Sequence, residues 1–231
     1  MKPTQLLPAN QPLLGKHLRL ERLGPAHVDL LLSAYENVGF WNAYRQHENR
    51  QVKREELEQR LAVEYQLPPA QVGKIEWVII RNREGLGIPI GFAGLTAWEP
   101  SQFRAEFLIG IIDPDEVRIG IGVEASLLVF DFAFNQQRLN KLVSYVYANN
   151  LQAQASTLAL GFRQEGHLKN HFYLGKKAGF CDVFQNGMLQ NEFREKARLK
   201  RLSLKLLGRD VTKLAKAAAR NEFNLEASFR M

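Results

Sequence analysis

A single cysteine, Cys181, stands in 231 residues, so no intrachain disulfide and no cysteine-based metal cluster can form. That thiol reads as a buried or half-buried core group. No apolar run approaches the roughly 18 residues a membrane span needs, and the opening MKPTQLLPANQPLLGKHLRL holds no apolar leader core. These absences predict a cytoplasmic protein without a transmembrane segment. Metal ligands are sparse as well: His167 and His171 are four apart, a spacing that chelates only on a helix, and they fall where strand and loop are predicted. No metal is expected. Acidic residues are scarce near the C-terminus, where ten Lys or Arg between Phe193 and Arg220 face only Glu195 and Asp210, a net +8 against +7 for the whole chain. Basicity therefore belongs to that segment. Internal repeats and low-complexity tracts are missing too.

What is present supports a sizeable core, with 45% of residues hydrophobic. After a Pro-rich leader, residues 1–13, HLRLERL alternates apolar and polar like a strand. Helical patterns follow at Ala26–Tyr35 and Lys53–Tyr65, and QLPPAQVGK breaks the second. IEWVIIR and IPIGFAGLTAW predict a hairpin, FRAEFLIGII a third strand of a meander that stops at DPDE. A helix is expected at Ile121–Gln137, with Val123, Leu127, Phe130 and Phe134 on one face. Then come a strand (Lys141–Ala148), a helix closed by Gly161, and two strands (Phe162–Lys169, Phe180–Leu189).

RIGIGVEA at Arg118–Ala125 fits the G-x-G-x-x-G/A spacing of a dinucleotide pyrophosphate loop. The surroundings argue against that use. A dinucleotide loop begins where its strand ends, whereas here the strand stops near Ile112 and DPDEVRI intervenes. The next strand should end on an acid that holds the ribose, and it ends in YANN. A nicotinamide or flavin oxidoreductase is therefore the distant alternative. The physics of the loop is general: bare N–H groups at a helix N-terminus cradle any pyrophosphate.

Four features in order, a strand leading into G-x-G-x-E-A, a strand ending at Asn150, Ala153 followed by Gly161–Phe162, and Asp182 followed by Leu189 and Glu192, resemble the GNAT superfamily of acyl-CoA N-acyltransferases, in particular its ribosomal-protein N-acetyltransferase branch. The resemblance covers about residues 14–193. It implies an α/β fold in which a mixed, mostly antiparallel sheet of about seven strands is flanked by helices and splays between two strands to hold acyl-CoA. A basic helical extension, residues 194–231, would follow. By resemblance, main-chain groups of Ile111 and Ile112 pair with the pantetheine arm like an added strand. Arg118, Ile119, Gly120, Ile121, Gly122 and Val123 cradle the pyrophosphate, the glycines because a Cβ would hold phosphate off the backbone. Asn150 and Ala153 sit by the pantetheine or the sulfur. Two positions depart from the family: Val117 stands where Gln or Arg is usual, and Thr157 where many relatives carry the tyrosine that protonates the leaving thiolate.

The implied reaction moves an acetyl group from acetyl-CoA to a primary amine, either a protein N-terminus or a small amine such as an amino sugar or amino acid, by direct attack on the thioester. Glu106 is the candidate base; an exposed or ion-paired strand residue is the other reading. His171 and Tyr173 are candidates for the acceptor pocket, or else solvated loop residues. A non-catalytic acyl-CoA-binding or ribosome-associated module is the alternative function. The basic extension either packs its leucines on the domain or on a second copy, making a homodimer, or docks on something acidic: ribosomal RNA, an anionic membrane or a carrier protein.

Overall fold

The computed structural model describes residues 10–45, 51–113, 116 and 120–214. Its centre is one eight-stranded sheet in the order β1-β2-β3-β4-β5-β6-β8-β7. The strands are β1 Leu13–Leu14, β2 Leu18–Arg22, β3 Ile75–Arg83, β4 Leu86–Glu99, β5 Arg104–Ile111, β6 Lys141–Tyr147, β7 Arg163–Tyr173 and β8 Phe180–Leu189. Neighbours pair antiparallel except β5 and β6, which run parallel. The expected mixed sheet is thus present, with one strand more than predicted. The additional strand is β1, where Leu13 and Leu14 pair with Leu20 and Arg19 at the end of the segment read as a leader.

Alternation along the strands builds two cores. Leu18, Leu20, Ile75, Trp77 and Ile79 point to one face, where α5 (Ile121–Phe130) packs Ala125, Leu127 and Phe130 against them. Val78, Ile80 and Phe92 point to the other, under α1 (Val28–Glu36), α2 (Val38–Arg45) and α3 (Arg54–Gln66). Helix α1 buries Val28, Leu31, Ala34 and Tyr35 at helical steps, and α3 only Leu57 and Leu61. A short α4 (Pro69–Val72) ends at Gly73 before β3. Beyond β6 lie α6 (Leu151–Ala159), α7 (Gln190–Glu195) and α8 (Ala197–Leu207). Among the described residues no helix is long and apolar enough to cross a membrane.

Three elements depart from the patterns. The helix expected to reach Gln137 is α-helical only to Phe130 and finishes as a π-helical turn, Asp131–Gln136. That wider turn buries Asp131, Phe132, Ala133 and Phe134 together and presents Asn135 to the C-terminal segment. Helix α2 forms where no helix was predicted, because its aromatic rings find a tertiary partner: a Cβ on Gly110 of β5 would lie 2.7 Å from the Tyr44 ring and 2.8 Å from Phe40. Strand β7 runs to Tyr173, through residues read as loop, because β8 pairs with it as far as Phe180.

Candidate active site

The parallel ladder between β5 and β6 holds only three pairs, Arg104↔Lys141, Ala105↔Leu142 and Glu106↔Val143. Both strands then continue, β5 paired to β4 as far as Ile111 and β6 paired to β8 as far as Tyr147. A wedge opens between them in mid-sheet. Main-chain direction alternates along a strand, and Ile112 donates its N–H to Ile90 O across β4 at 2.8 Å. The same alternation turns the groups of Ile109 and Ile111 into the wedge. Of the two isoleucines named from the sequence, Ile111 therefore faces the opening and the Ile112 amide is engaged elsewhere.

The glycine loop stands beside this opening. A Cβ on Gly122 would lie 3.9 Å from the Ile109 side chain, so the first turn of α5 borders the β5 wall. Gly120 caps the helix in the left-handed region at φ +78°, and a Cβ there would meet nothing within 4 Å. Ile121 and Gly122, the first two helical residues, hold N–H groups that no helix carbonyl can reach. Val123 closes the turn by donating to Gly120 O at 3.0 Å, while the Ile121 side chain is buried in the core. Arg118 and Ile119, like Val117, lie outside the described residues. The residues present suit a pyrophosphate with an amide-bearing arm: bare backbone at a helix N-terminus, next to a half-strand of unpaired main chain.

Two buried carboxylates to which the sequence reading gave no role, Glu124 of the G-x-G-x-E-A motif among them, brace this loop. Glu116, just before it, accepts Arg81 Nη1 of β3 on both oxygens. Glu124, 1% exposed in the first turn of α5, accepts the His17 N–H at 2.8 Å and pairs with His17 Nδ1 at 2.8 Å. Their only sequence signal was an acid on either side of the glycines.

Past the wedge, Asn150 caps α6, its Oδ1 accepting the Ala153 N–H at 3.1 Å. The two residues named for the sulfur end thus hold each other. Thr157, read from the sequence as a departure from the resemblance, is buried, and Gln154 on the same helix exchanges 2.9 Å hydrogen bonds with buried Asn186.

Glu106 occupies the last paired position, at the apex of the wedge, where Thr96 Oγ1 donates to its Oε2 at 3.2 Å. Two residues beyond Val143, Tyr145 shares the face of that pair, and its ring stacks on His171 at 5.6 Å. Phe172 meets Tyr145 edge-on at 6.4 Å. Consecutive residues reach one ring because β7 is irregular between Leu168 and Phe172, with Asn170 at φ +49°. Tyr173 does not join them; its ring packs on Phe180 at 5.2 Å, both exposed. Phe172 also faces Cys181, whose thiol burial pushes up, with Asp182 adding to the shift and a backbone hydrogen bond from Phe172 opposing it. A protonated thiol is a poor nucleophile. Among the described residues no His, Cys, Asp and Glu cluster could hold a metal.

Residues 17–163 match the sequence profile of the acetyltransferase (GNAT) domain. No curated protein matches the chain by sequence. Among solved structures, spermidine N-acetyltransferase from Vibrio cholerae in complex with CoA and spermine superposes with a TM-score of 0.65 at 22% identity, over 76% of this chain and 97% of that one. A dodecameric form of the same enzyme gives 0.64 at 21% identity, over 78% and 98%. A presumptive acetyltransferase from T. thermophilus gives 0.63 at 25% identity, over 83% and 96%.

Proposed function

This chain belongs to the GNAT acetyltransferase family, acyltransferases that use acetyl-CoA, and on that premise we propose that it acetylates a primary amine entering on the Glu106 side of the wedge. The observation that carries the reading is the wedge itself, where the β5–β6 ladder stops at Glu106 and Val143 beside the α5 N-terminus. Ile109 and Ile111 hold the pantetheine amides, and the N–H groups of Gly120, Ile121 and Gly122 hold the pyrophosphate. Bound acetyl-CoA supplies the thioester carbonyl. The chain's own part is to orient an amine against it and to take the proton from nitrogen.

Which amine is used sets the demand. Neutralising a lysine-like amine at pH 7 costs about 4.6 kcal/mol, an α-amine about 1 kcal/mol. A base within reach matters most for the first kind. Glu106 takes that proton, while Tyr145, His171 and Phe172 wall the approach on the same face. A carboxylate on the same sheet face as these rings suits an amine arriving as a cation. A small polycationic amine, as in the spermidine N-acetyltransferases of similar fold, is accordingly the first acceptor to test. A protein N-terminus, as in the ribosomal-protein branch, is the second. Pairing with another copy and docking of the basic extension on an acidic partner complete the reading.

Thiol release measured across polyamines, amino sugars, amino acids and N-terminal peptides tests it. Glu106→Gln should lower kcat roughly 100-fold for the best acceptor, with KM for acetyl-CoA unchanged. An unchanged kcat removes Glu106 as the base. Acetyl-CoA binding without thiol release from any acceptor leaves the non-catalytic module standing instead.

A further inference from the structure

The C-terminal segment presents a surface that acetyl transfer does not use. Helix α8 turns its apolar side inward: Leu199 and Ser203 are buried, and Leu202, Leu206 and Leu207 pack against the main core. The residues after it are tied to the π-helical turn. Asn135 Nδ2 donates to Val211 O at 2.8 Å, Arg209 reaches Asp131 at 2.5 Å, and Arg194 donates to Asn135 Oδ1 at 3.1 Å and to Thr212 O at 3.3 Å. α8 is thereby held as a fixed wall of the domain.

Its outer side carries Arg198, Lys200, Arg201 and Lys205, all exposed. Arg198, Arg201 and Lys205 follow one another at steps of three and four and share a line roughly 10 Å long. Among the described residues no ion pair or hydrogen bond engages the side chain of any of the four. The two acids flanking the helix in sequence, Glu195 and Asp210, pair with none of the four among the described residues, and Asp210 accepts the Thr212 N–H at 3.1 Å. Beyond the described residues the sequence adds Lys216 and Arg220. A line of uncompensated cations on a rigid support is suited to a line of fixed anions.

We propose that this face docks on the phosphate backbone of duplex RNA. An anionic membrane fits it poorly, because interfacial helices insert an apolar side and here that side lies against the protein, leaving only Leu204, 48% exposed, outside. Single strands are held by stacking on aromatic rings, and the outer side of α8 has none. Reading B-DNA calls for a helix inserted into the major groove, whereas α8 lies flat with one side packed. The shallow minor groove of A-form RNA, bordered by phosphates, accepts a helix lying across it. The proposal rests on the reading of the basic extension as a docking element, names its partner, and is independent of the acceptor amine.

Fluorescence anisotropy with a labelled RNA duplex of about 20 base pairs, long enough to span the footprint of a shape-reading protein, tests it on the full chain, beside the same sequence as DNA duplex and as single strand, and vesicles containing phosphatidylserine. The RNA duplex should bind tightest, and its affinity should fall steeply with salt. The combined variant Arg198→Gln, Arg201→Gln, Lys205→Gln should lose roughly tenfold or more in affinity and flatten the log–log salt slope by about two to three. Its thermal midpoint and thiol-release rate should match the parent. Arg198→Lys with Arg201→Lys should keep the slope. A glutamine variant that binds like the parent, no duplex binding at low salt, or tighter binding to DNA, single strand or vesicles would each overturn the proposal.

Discussion

Glu76 shows how much a single buried carboxylate can hold. It lies on β3 beneath α2, where Arg45 Nη1 is 3.0 Å away and Lys74 Nζ 3.5 Å. Burial alone would raise its pKa, but the Arg45 and Lys74 charges outweigh it and hold the carboxyl below its ordinary 4.5. A carboxyl depressed in the folded state contributes stability above the unfolded pKa, and that contribution is lost as pH falls through the folded pKa. Thermal midpoints should therefore be level near neutrality and fall once pH drops below about 4.5. Glu76→Gln should cost about 3 kcal/mol at pH 7, because buried Arg45 loses its counter-charge, and should weaken the acid dependence below pH 4.5. An acid limb of equal steepness in the variant would mean that other carboxylates govern it. Of the two cations only Lys74 stands in the local string KIEWVII; the arginine that lowers the pKa most comes from another element.

At the scale of elements, α5 and its loop combine two demands. The helix buries Ile121, Ala125, Leu127 and Phe130, while its first turn stays bare on the side of the wedge. Gly120 separates these demands experimentally. Alanine there meets no atom within 4 Å, so its cost in stability is confined to the left-handed backbone, about 1–2 kcal/mol. In the proposed acetyl-CoA site the added Cβ would nevertheless stand where phosphate approaches. Gly120→Ala is expected to raise KM for acetyl-CoA roughly tenfold or more through loss of close backbone–phosphate contact, while the acceptor KM stays within about twofold. Equal rises in both constants would point to general disruption. The helix start at the G-x-G spacing was legible because a glycine cap is local, and so were β3 to β6, where alternation or continuous apolar runs were unambiguous. Helix α2 and the outer half of β7 were not: the helix rests its rings on β5, brought by a distant part of the chain, and the strand crosses an irregular stretch between Leu168 and Phe172 that breaks its alternation.

For the whole molecule, the C-terminal segment completes the core. Leu199 and Val211 are each 1% exposed, and α8 covers apolar surface next to α5. A chain ending at Phe193 would uncover that surface, and its thermal midpoint should drop by roughly 10 °C or more, followed by calorimetry. An unchanged midpoint would show that the segment is dispensable to the fold. For this reason the outer cations of α8 are better examined by substitution than by truncation. The sequence by itself determined the chemical class, through four motifs in the family's order, and the succession of strand, glycine loop and helix, because those motifs and apolar periodicity are written over a few consecutive residues. It also located the positive charge. Only the tertiary structure decided that Ile111 and not the Ile112 amide faces the wedge, that His171 joins Tyr145 while Tyr173 does not, and that the basic helix is a wall of the domain. These outcomes depend on cross-strand register and on contacts such as His17 with Glu124, 107 residues apart, which local pattern does not encode.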